Sequence, residues 1–354
     1  MCIYSILFSM KRSDFFNIIF ISYIFLSTPL VYGSERLELY FLTEKLLNTK
    51  ILNTNEFIQL SLNSKSLGFK TLKDNNKHNY TLSINRAFYP IITYSDNING
   101  GNLFQTIQIG GLTFEGEEEA KAKSGLLIGG GILVGIKKQY GIGRYLDVRM
   151  NASLSAAPTQ EWLSIRDESI IACSKNHLKE WFFFDACAHW GHNKRQYIDE
   201  INKSLSVSLT KLFISKKVFS ESIFTINRHI ADKYHQLQGI FALNSLLPNG
   251  YKTNFSMAFG EPVKDLISLN YSLGLSVSKY IKRKPLSILL NQTYYDGGKF
   301  LGVDREDTSQ KISISYPIHS RFNIALGYTR NMSSISSFSH NGPHIEVSFP
   351  ALSF

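Results

Sequence analysis

The chain has 354 residues, 44% of them hydrophobic and 13% aromatic, and a formal net charge of +10 carried by 38 basic and 28 acidic side chains. The bases are dispersed rather than gathered on a helix, so no nucleic-acid partner is expected. Beyond the N-terminus no stretch approaches the 18 or so continuous apolar residues of a spanning helix, so a membrane could be crossed only by strands.

Lys11 and Arg12 precede an apolar run from Phe15 to Leu26, and Ser27, Thr28 and Pro29 then lead to Val31-Tyr32-Gly33. This is the pattern of a secretory signal, with removal of residues 1–33 expected, cleavage after Ser34 the near alternative, and Met10 an alternative start. Losing Lys11, Arg12 and Asp14 takes the 38 bases and 28 acids to 36 and 27, a balance of +9. Residues 34–82 read as a short periplasmic or plug-like segment with one amphipathic helix around Glu35–Leu47, too short for its own core.

From residue 83 to 354 the pattern changes to alternation. In 266–278, Ile267, Leu269, Tyr271, Leu273, Leu275 and Val277 share one parity, and Ser268, Asn270, Ser272, Gly274, Ser276 and Ser278 the other. A pleated strand sends these sets to opposite faces, and the polar set is small, as a lumen lining would be. The same alternation recurs at 146–155, 204–210, 251–260 and 322–329. Strands are expected near 84–95, 124–137, 144–156, 161–174, 179–190, 202–214, 220–230, 234–247, 250–260, 265–280, 285–296, 309–318, 320–332 and 342–354. The expected fold is therefore all-β, an antiparallel transmembrane β-barrel of about 14 strands, within a range of 12–16. Pro248-Asn249-Gly250 marks one hairpin, Tyr140 to Gly143 another, and 96–123 and 297–309 read as long loops at the other end. Phe88, Tyr89, Tyr94, Trp181, Tyr294 and Tyr295 fall near strand ends, where interfacial girdles would place them.

Export would put the cysteines in an oxidising compartment. Cys2 leaves with the signal, and Cys173 and Cys187 flank a hairpin, which makes a disulfide between them the favoured reading over two buried thiols. Asp147, Arg149 and Asp185 lie on the polar parity and are candidate lumen residues. The basic excess fits an anion-favouring interior, a surface meeting acidic lipopolysaccharide, or Lys-rich strand ends that flank the membrane.

Chemistry is sparse. Asp185 and His189 share a parity with no nucleophile spaced to them, and His189 and His192 fall on opposite faces, which is wrong for a metal pair. Asp96 to Gly101 lacks the alternating acids and distal Glu of an EF-hand and reads as a polar turn. Neither catalysis, a cofactor nor a metal is expected.

Two short motifs carry a resemblance. Asp304-Arg305-Glu306-Asp307 precedes a strand at Ile312–Ile318, then Leu326-Gly327-Tyr328-Thr329-Arg330-Asn331-Met332-Ser333-Ser334-Ile335 ends another, and Tyr94 to Asn99 opens the first loop. These resemble the first and last hairpins of the surface lipoprotein assembly modifier barrels. That family usually places helical repeats before its barrel, and residues 34–82 cannot hold them. The resemblance implies a barrel and, as an expectation, help in exporting a surface lipoprotein. Phe354 similarly resembles the terminal aromatic read by the barrel assembly machinery, with a bulge at Pro350 needed to reconcile parities. The location expected is a Gram-negative outer membrane, with its lipids, lipopolysaccharide and the assembly machinery as partners. Transport or translocation is the expected function; an adhesive surface barrel and a lipid-modifying enzyme are the alternatives.

Overall fold

The computed structural model describes residues 34–69, 82–101, 106–109, 112–232, 234–282, 284–319, 322–348 and 352–353. The signal at 1–33, Pro350 and Phe354 lie outside these residues. Two helices come first, α1 (Glu35–Thr49) and α2 (Thr54–Ser66). Strand β1 (Leu82–Ser95) is followed by a small hairpin of β2 (Thr106–Ile109) and β3 (Leu112–Glu115). Then come β4 (Gly125–Gly141), β5 (Arg144–Ala157), β6 (Leu163–Lys179), β7 (Phe182–Lys194), β8 (Asp199–Ser215) and β9 (Val218–Ala231). The chain closes with β10 (His235–Leu246), β11 (Tyr251–Gly260), β12 (Ser268–Ile281), β13 (Lys284–Phe300), β14 (Val303–His319), β15 (Phe322–Ser333), β16 (His340–Ser348) and β17 (Leu352–Ser353).

From β4 to β16 each strand pairs antiparallel with the next, and β4 also pairs with β1. The free edge of β1 takes β16 at Ile91–Thr93 and β17 at Ala87–Phe88. The sheet therefore closes on itself. With β17 completing the last strand, the wall is a 14-stranded barrel, as the alternation predicts. Closure brings the two outer strands of the sheet together at these positions, and a closed sheet is the condition for strands to sit in lipid. Among the described residues no helix is long and apolar enough to cross a membrane.

Directly opposed residues share a face, so one register row traces the lumen side. It runs Lys137, Asp147, Cys173, Cys187, Ser206, Asn227, Gln238 and Gly260, through successive partners on β4 to β11. The intervening parity carries the exposed aliphatic side chains, among them Ile128, Leu205, Val207, Leu273, Leu275 and Ile312. In β12 the serines Ser272, Ser276 and Ser278 are buried while Leu273 and Leu275 are exposed. The barrel is apolar outside and polar inside.

Glycines at the β1–β4 contact let aromatic rings lie flat on the wall. A Cβ at Gly131 would come within 2.3 Å of the Tyr89 ring on the lumen side, and one at Gly130 within 2.7 Å of the Phe88 ring outside. Tyr89 then reaches across to donate to Asn151 Oδ1 at 2.7 Å.

Several details depart from the sequence reading. The segment Asp296-Gly297-Gly298 reads as the edge of a loop but acts as a bulge. The register shifts there, Gly297 takes φ +84°, and a Cβ on Gly298 would strike Ile267. β13 and β14 therefore run on to a tight turn at Leu301–Gly302, and 297–309 is not a long loop. A second bulge at Asn270 turns Leu269 into the lumen, where it packs with Ala258 and Tyr295. Residues 34–82 hold two helices rather than one. Asn53 caps α2 by accepting from Glu56 N while the Glu56 carboxylate accepts from Asn53 N, a capping box in a stretch whose composition reads as loop. Of the six aromatics expected at interfaces, Tyr89 and Tyr295 face the lumen and Trp181 packs on Tyr40 of α1.

Candidate functional site: the plugged lumen

The two ends of the barrel differ. The connections β4–β5, β6–β7, β8–β9, β10–β11, β12–β13 and β14–β15 share one end and span two to four residues. The opposite end carries the 96–124 segment and the connections at 158–162, 195–198, 232–234, 261–267, 301–302 and 334–339. Outer-membrane barrels place short turns in the periplasm and longer loops outside.

The helix pair sits inside the short-turn end. Ser34 caps α1 by accepting from Arg36 N at 3.1 Å, and its hydroxyl donates to Glu221 Oε1 on β9 at 2.8 Å. One turn on, Leu37 and Tyr40 pack with Phe183 of β7 and Leu212 of β8, while Leu39 packs with Leu67 and Tyr145 of β5. Between these apolar contacts lie charged ones. The Arg36 guanidinium donates to both carboxylate oxygens of Asp185 on β7, at 2.9 and 2.7 Å, and stacks over the Phe183 ring at 4.3 Å. Burial works against the Arg36 charge, but the hydrogen bonds and charge of Asp185 prevail and its pKa is raised. Lys252 of β11 binds Glu38 at 2.7 Å, and Lys137 of β4 reaches Glu35 at 3.5 Å and Ser66 at 2.9 Å. The end of α2 is fastened through Gly68, whose carbonyl accepts from Gly143 N at 2.9 Å and Gln139 Nε2 at 2.7 Å. Gly143 has φ +63°, and a Cβ there would meet Phe69 and His177. These ties run to β4, β5, β7, β8, β9 and β11. The opposite wall presents Ser276, Ser278, Ser287, Ser313 and Ser315, which belong to the same lumen parity.

All three charged residues read as lumen-lining face inward. Asp147 accepts from Arg149 Nε at 3.2 Å and Nη2 at 2.9 Å and lies 3.7 Å from Lys175 Nζ. Lys175 is opposite Asp185 in register, so the Asp147 group and the plug's Asp185 anchor are one network. The sequence reading missed Arg36, Lys175, Glu221, Lys137 and Lys252. For the four wall residues parity alone was a signal; for Arg36 there was none. Cys173 and Cys187 are paired across β6 and β7 and joined by a disulfide on the lumen face.

The long-loop end is narrowed by residues 96–101. Ile98 packs inward against Leu127, Ala157 and Ile165. Asn99 Oδ1 accepts from Gly101 N and Lys123 N, and its amide donates to the Lys121 carbonyl. Arg195 donates to the Asn97 carbonyl at 2.7 Å. The asparagines serve the loop itself, as a polar turn would. His189 faces the lumen, whereas His192 faces outward with Asp199 at 2.7 Å and Glu168 at 3.6 Å. Among the described residues no group of three or more His, Cys, Asp or Glu could hold a metal. Arg305 and Asp307, from the motif resembling the lipoprotein assembly barrels, lie within β14 as a buried ion pair at 2.9 Å, with Arg305 stacked on Phe338 at 3.8 Å.

No model of a known protein family matches the chain, and no curated protein matches it. The surface lipoprotein assembly modifier resemblance thus gains no support from them. Among solved structures the chain is similar to the outer membrane protein OprD from Pseudomonas aeruginosa, at 6% identity and TM-score 0.40 over 77% of this chain and 93% of that one. It is also similar to OccK9 (OpdG) from the same organism, at 7% identity and TM-score 0.41 over 77% and 98%. A third, Pseudomonas aeruginosa OpdQ, gives 9% identity and TM-score 0.37 over 77% and 97%. All three TM-scores are below 0.5, and the barrel architecture rests on the strand closure itself.

Proposed function

We propose that the chain is a gated channel of a Gram-negative outer membrane that passes polar solutes and carries out no catalysis. The observation that supports this most is the pairing of a closed wall, apolar outside and Ser- and Asn-lined inside, with a helical plug held by discrete polar ties. A barrel whose only task was to display loops would need neither a polar lumen nor a plug fastened by hydrogen bonds and charge. Most of the charges described inside are matched, Asp147 with Arg149 and Lys175, Asp185 with Arg36, Glu38 with Lys252, while Glu221 is held by the Ser34 hydroxyl and the Asn244 amide. That favours gating over a simple anion-selective bore.

The test is planar-bilayer conductance of the full refolded chain. Discrete openings that rise in number when the plug is loosened support a channel. A barrel that inserts yet stays electrically silent under every such change would instead leave an adhesive or structural role. Delivery of a surface lipoprotein is the finer reading that the first- and last-hairpin resemblance suggests. Its support is those motifs alone, and its test is surface exposure of a co-expressed lipoprotein with and without this chain.

A further inference from the structure

The basic excess has an address. On the outward parity at the short-turn end stand Lys138, Arg144, Lys211 and Lys279, all exposed. Each lies two residues along its strand from an aliphatic side chain of the outer face: Ile136, Leu146, Leu209 and Val277. Two residues of strand are about 7 Å, so these bases ring the barrel just where its apolar belt ends. The end of β6 adds Lys179 and the turns add Lys216, Lys217 and Lys282, also exposed. Among the described residues none of these eight has a carboxylate within ion-pair distance, and the turns and outward wall positions of this end carry one acid, Glu180. At the other end bases and acids are mixed: Arg166 pairs with Glu168, Lys194 with Asp199 at 3.4 Å and Lys299 with Asp265 at 2.8 Å, while Lys121, Lys203, Arg228, Lys264 and Arg330 are exposed with no ion pair among the described residues. Acids such as Glu115, Glu117, Glu118 and Glu119 are also exposed there.

We infer that this collar binds the phosphodiester headgroups of acidic phospholipids in the periplasmic leaflet. The inference rests on the outer-membrane reading. Four of the bases point sideways from the wall rather than along the barrel axis, which is where a lipid phosphate lies and where a protein docking on the end would not reach. Lys279 shows the geometry: its ammonium sits over the Tyr251 ring at 4.3 Å, an amphipathic ring and a cation together at the belt's edge. Unmatched bases at such a surface attract anionic lipid over a Debye length.

The experiment reconstitutes the full chain in vesicles of phosphatidylethanolamine mixed with phosphatidylglycerol and measures the lipid shell with spin-labelled versions of each. Wild-type protein should enrich phosphatidylglycerol by about fivefold, the effect of one well-placed base at an anionic surface. High salt should erase the enrichment. The variant K138Q/R144Q/K211Q/K279Q should lose it while keeping the heat-modifiable gel mobility of a folded barrel, and K216Q/K217Q should retain most of it. Absence of enrichment in wild type, or full enrichment in the wall variant, overturns the collar. Loss only in the turn variant overturns it, because the lipid contact would then lie on the turns and not on the wall. Failure of wild type to insert at all overturns the membrane reading instead.

Discussion

Arg36 in the first turn of the plug and Asp185 on β7 are 149 residues apart in sequence and form a two-pronged ion pair with bonds of 2.9 and 2.7 Å. Asp185 also faces Lys175 across the β6–β7 ladder, so the wall keeps a cation for it when the plug leaves. The plug has no such reserve for Arg36. The pair is thus asymmetric, stabilising the docked helix more than the barrel. Arg36→Ala should weaken plug docking by about 2–3 kcal/mol, below the 3–5 expected for stranding a buried charge, because Lys175 remains. More frequent channel openings and faster proteolysis within 34–69 would follow. Unchanged conductance and unchanged cleavage would show that the ion pair does not hold the gate.

The lumen disulfide makes a separate prediction. Cys173 and Cys187 are directly opposed and close a loop with a separation of 14 residues. Chain entropy puts such a link at about 3 kcal/mol, on a barrel whose hydrogen-bonded wall already fixes the two strands. Cys173→Ser should therefore lower thermal stability and abolish the mobility difference between reduced and unreduced samples, yet leave the barrel folded. Labelling of two free thiols in the native protein would contradict the assignment.

Acid should loosen the helix pair. The Lys45 ammonium, bonded to Glu56 at 2.6 Å, and then the Asn53 backbone N–H hold the Glu56 carboxyl below its usual 4.5. A depressed carboxylate contributes stability that is complete above its unfolded value and lost as pH falls through its folded one. Protection of the amides at 54–57, with the intrinsic pH dependence of exchange divided out, should therefore fall once pH drops below the ordinary glutamate range, with little change above it. Glu56→Gln should exchange faster at neutral pH and lose that dependence; an identical acid profile in the variant would assign the effect elsewhere.

The wall was largely legible because lipid and lumen impose opposite demands on alternate residues, as Leu205, Val207 and Leu209 against Ser204, Ser206 and Ser208 make plain. What was not legible came from places where one residue breaks the count. Asn270 adds a residue to β12 and inverts Leu269, and Gly297 with its left-handed φ turns an apparent loop into continuous strand. The plug was half visible. α1 could be placed, but its neighbours on the barrel wall are strangers in sequence, and a helix wrapped by a polar lumen needs charges where a buried helix normally shows an apolar stripe. Asp147 and Asp185 could be assigned a face by parity, whereas their roles depend on Arg149, Lys175 and Arg36 arriving from elsewhere.

The membrane face itself can be tested within one hairpin. Leu273 of β12 is exposed on the apolar side, opposite Met257 of β11. The next register pair toward the short-turn end, Gly274 with Ser256, points into the lumen. An arginine at a lipid-facing site near mid-bilayer costs about 2–4 kcal/mol, whereas a lumen site lets the guanidinium reach water and polar groups. Ser256 is a cleaner lumen control than Ser272, which is nearly fully buried and bonded to Thr293 at 3.0 Å. With Gly274 opposite it, Ser256 also has less side-chain bulk across the ladder. Leu273→Arg should therefore lower folding yield in vesicles and the unfolding midpoint far more than Ser256→Arg, although the two positions differ by one register step in depth. Because that step is about 3 Å of strand, depth cannot account for a large difference. Equal losses at both sites, or a greater loss at Ser256, would mean that the aliphatic face of this hairpin does not meet lipid.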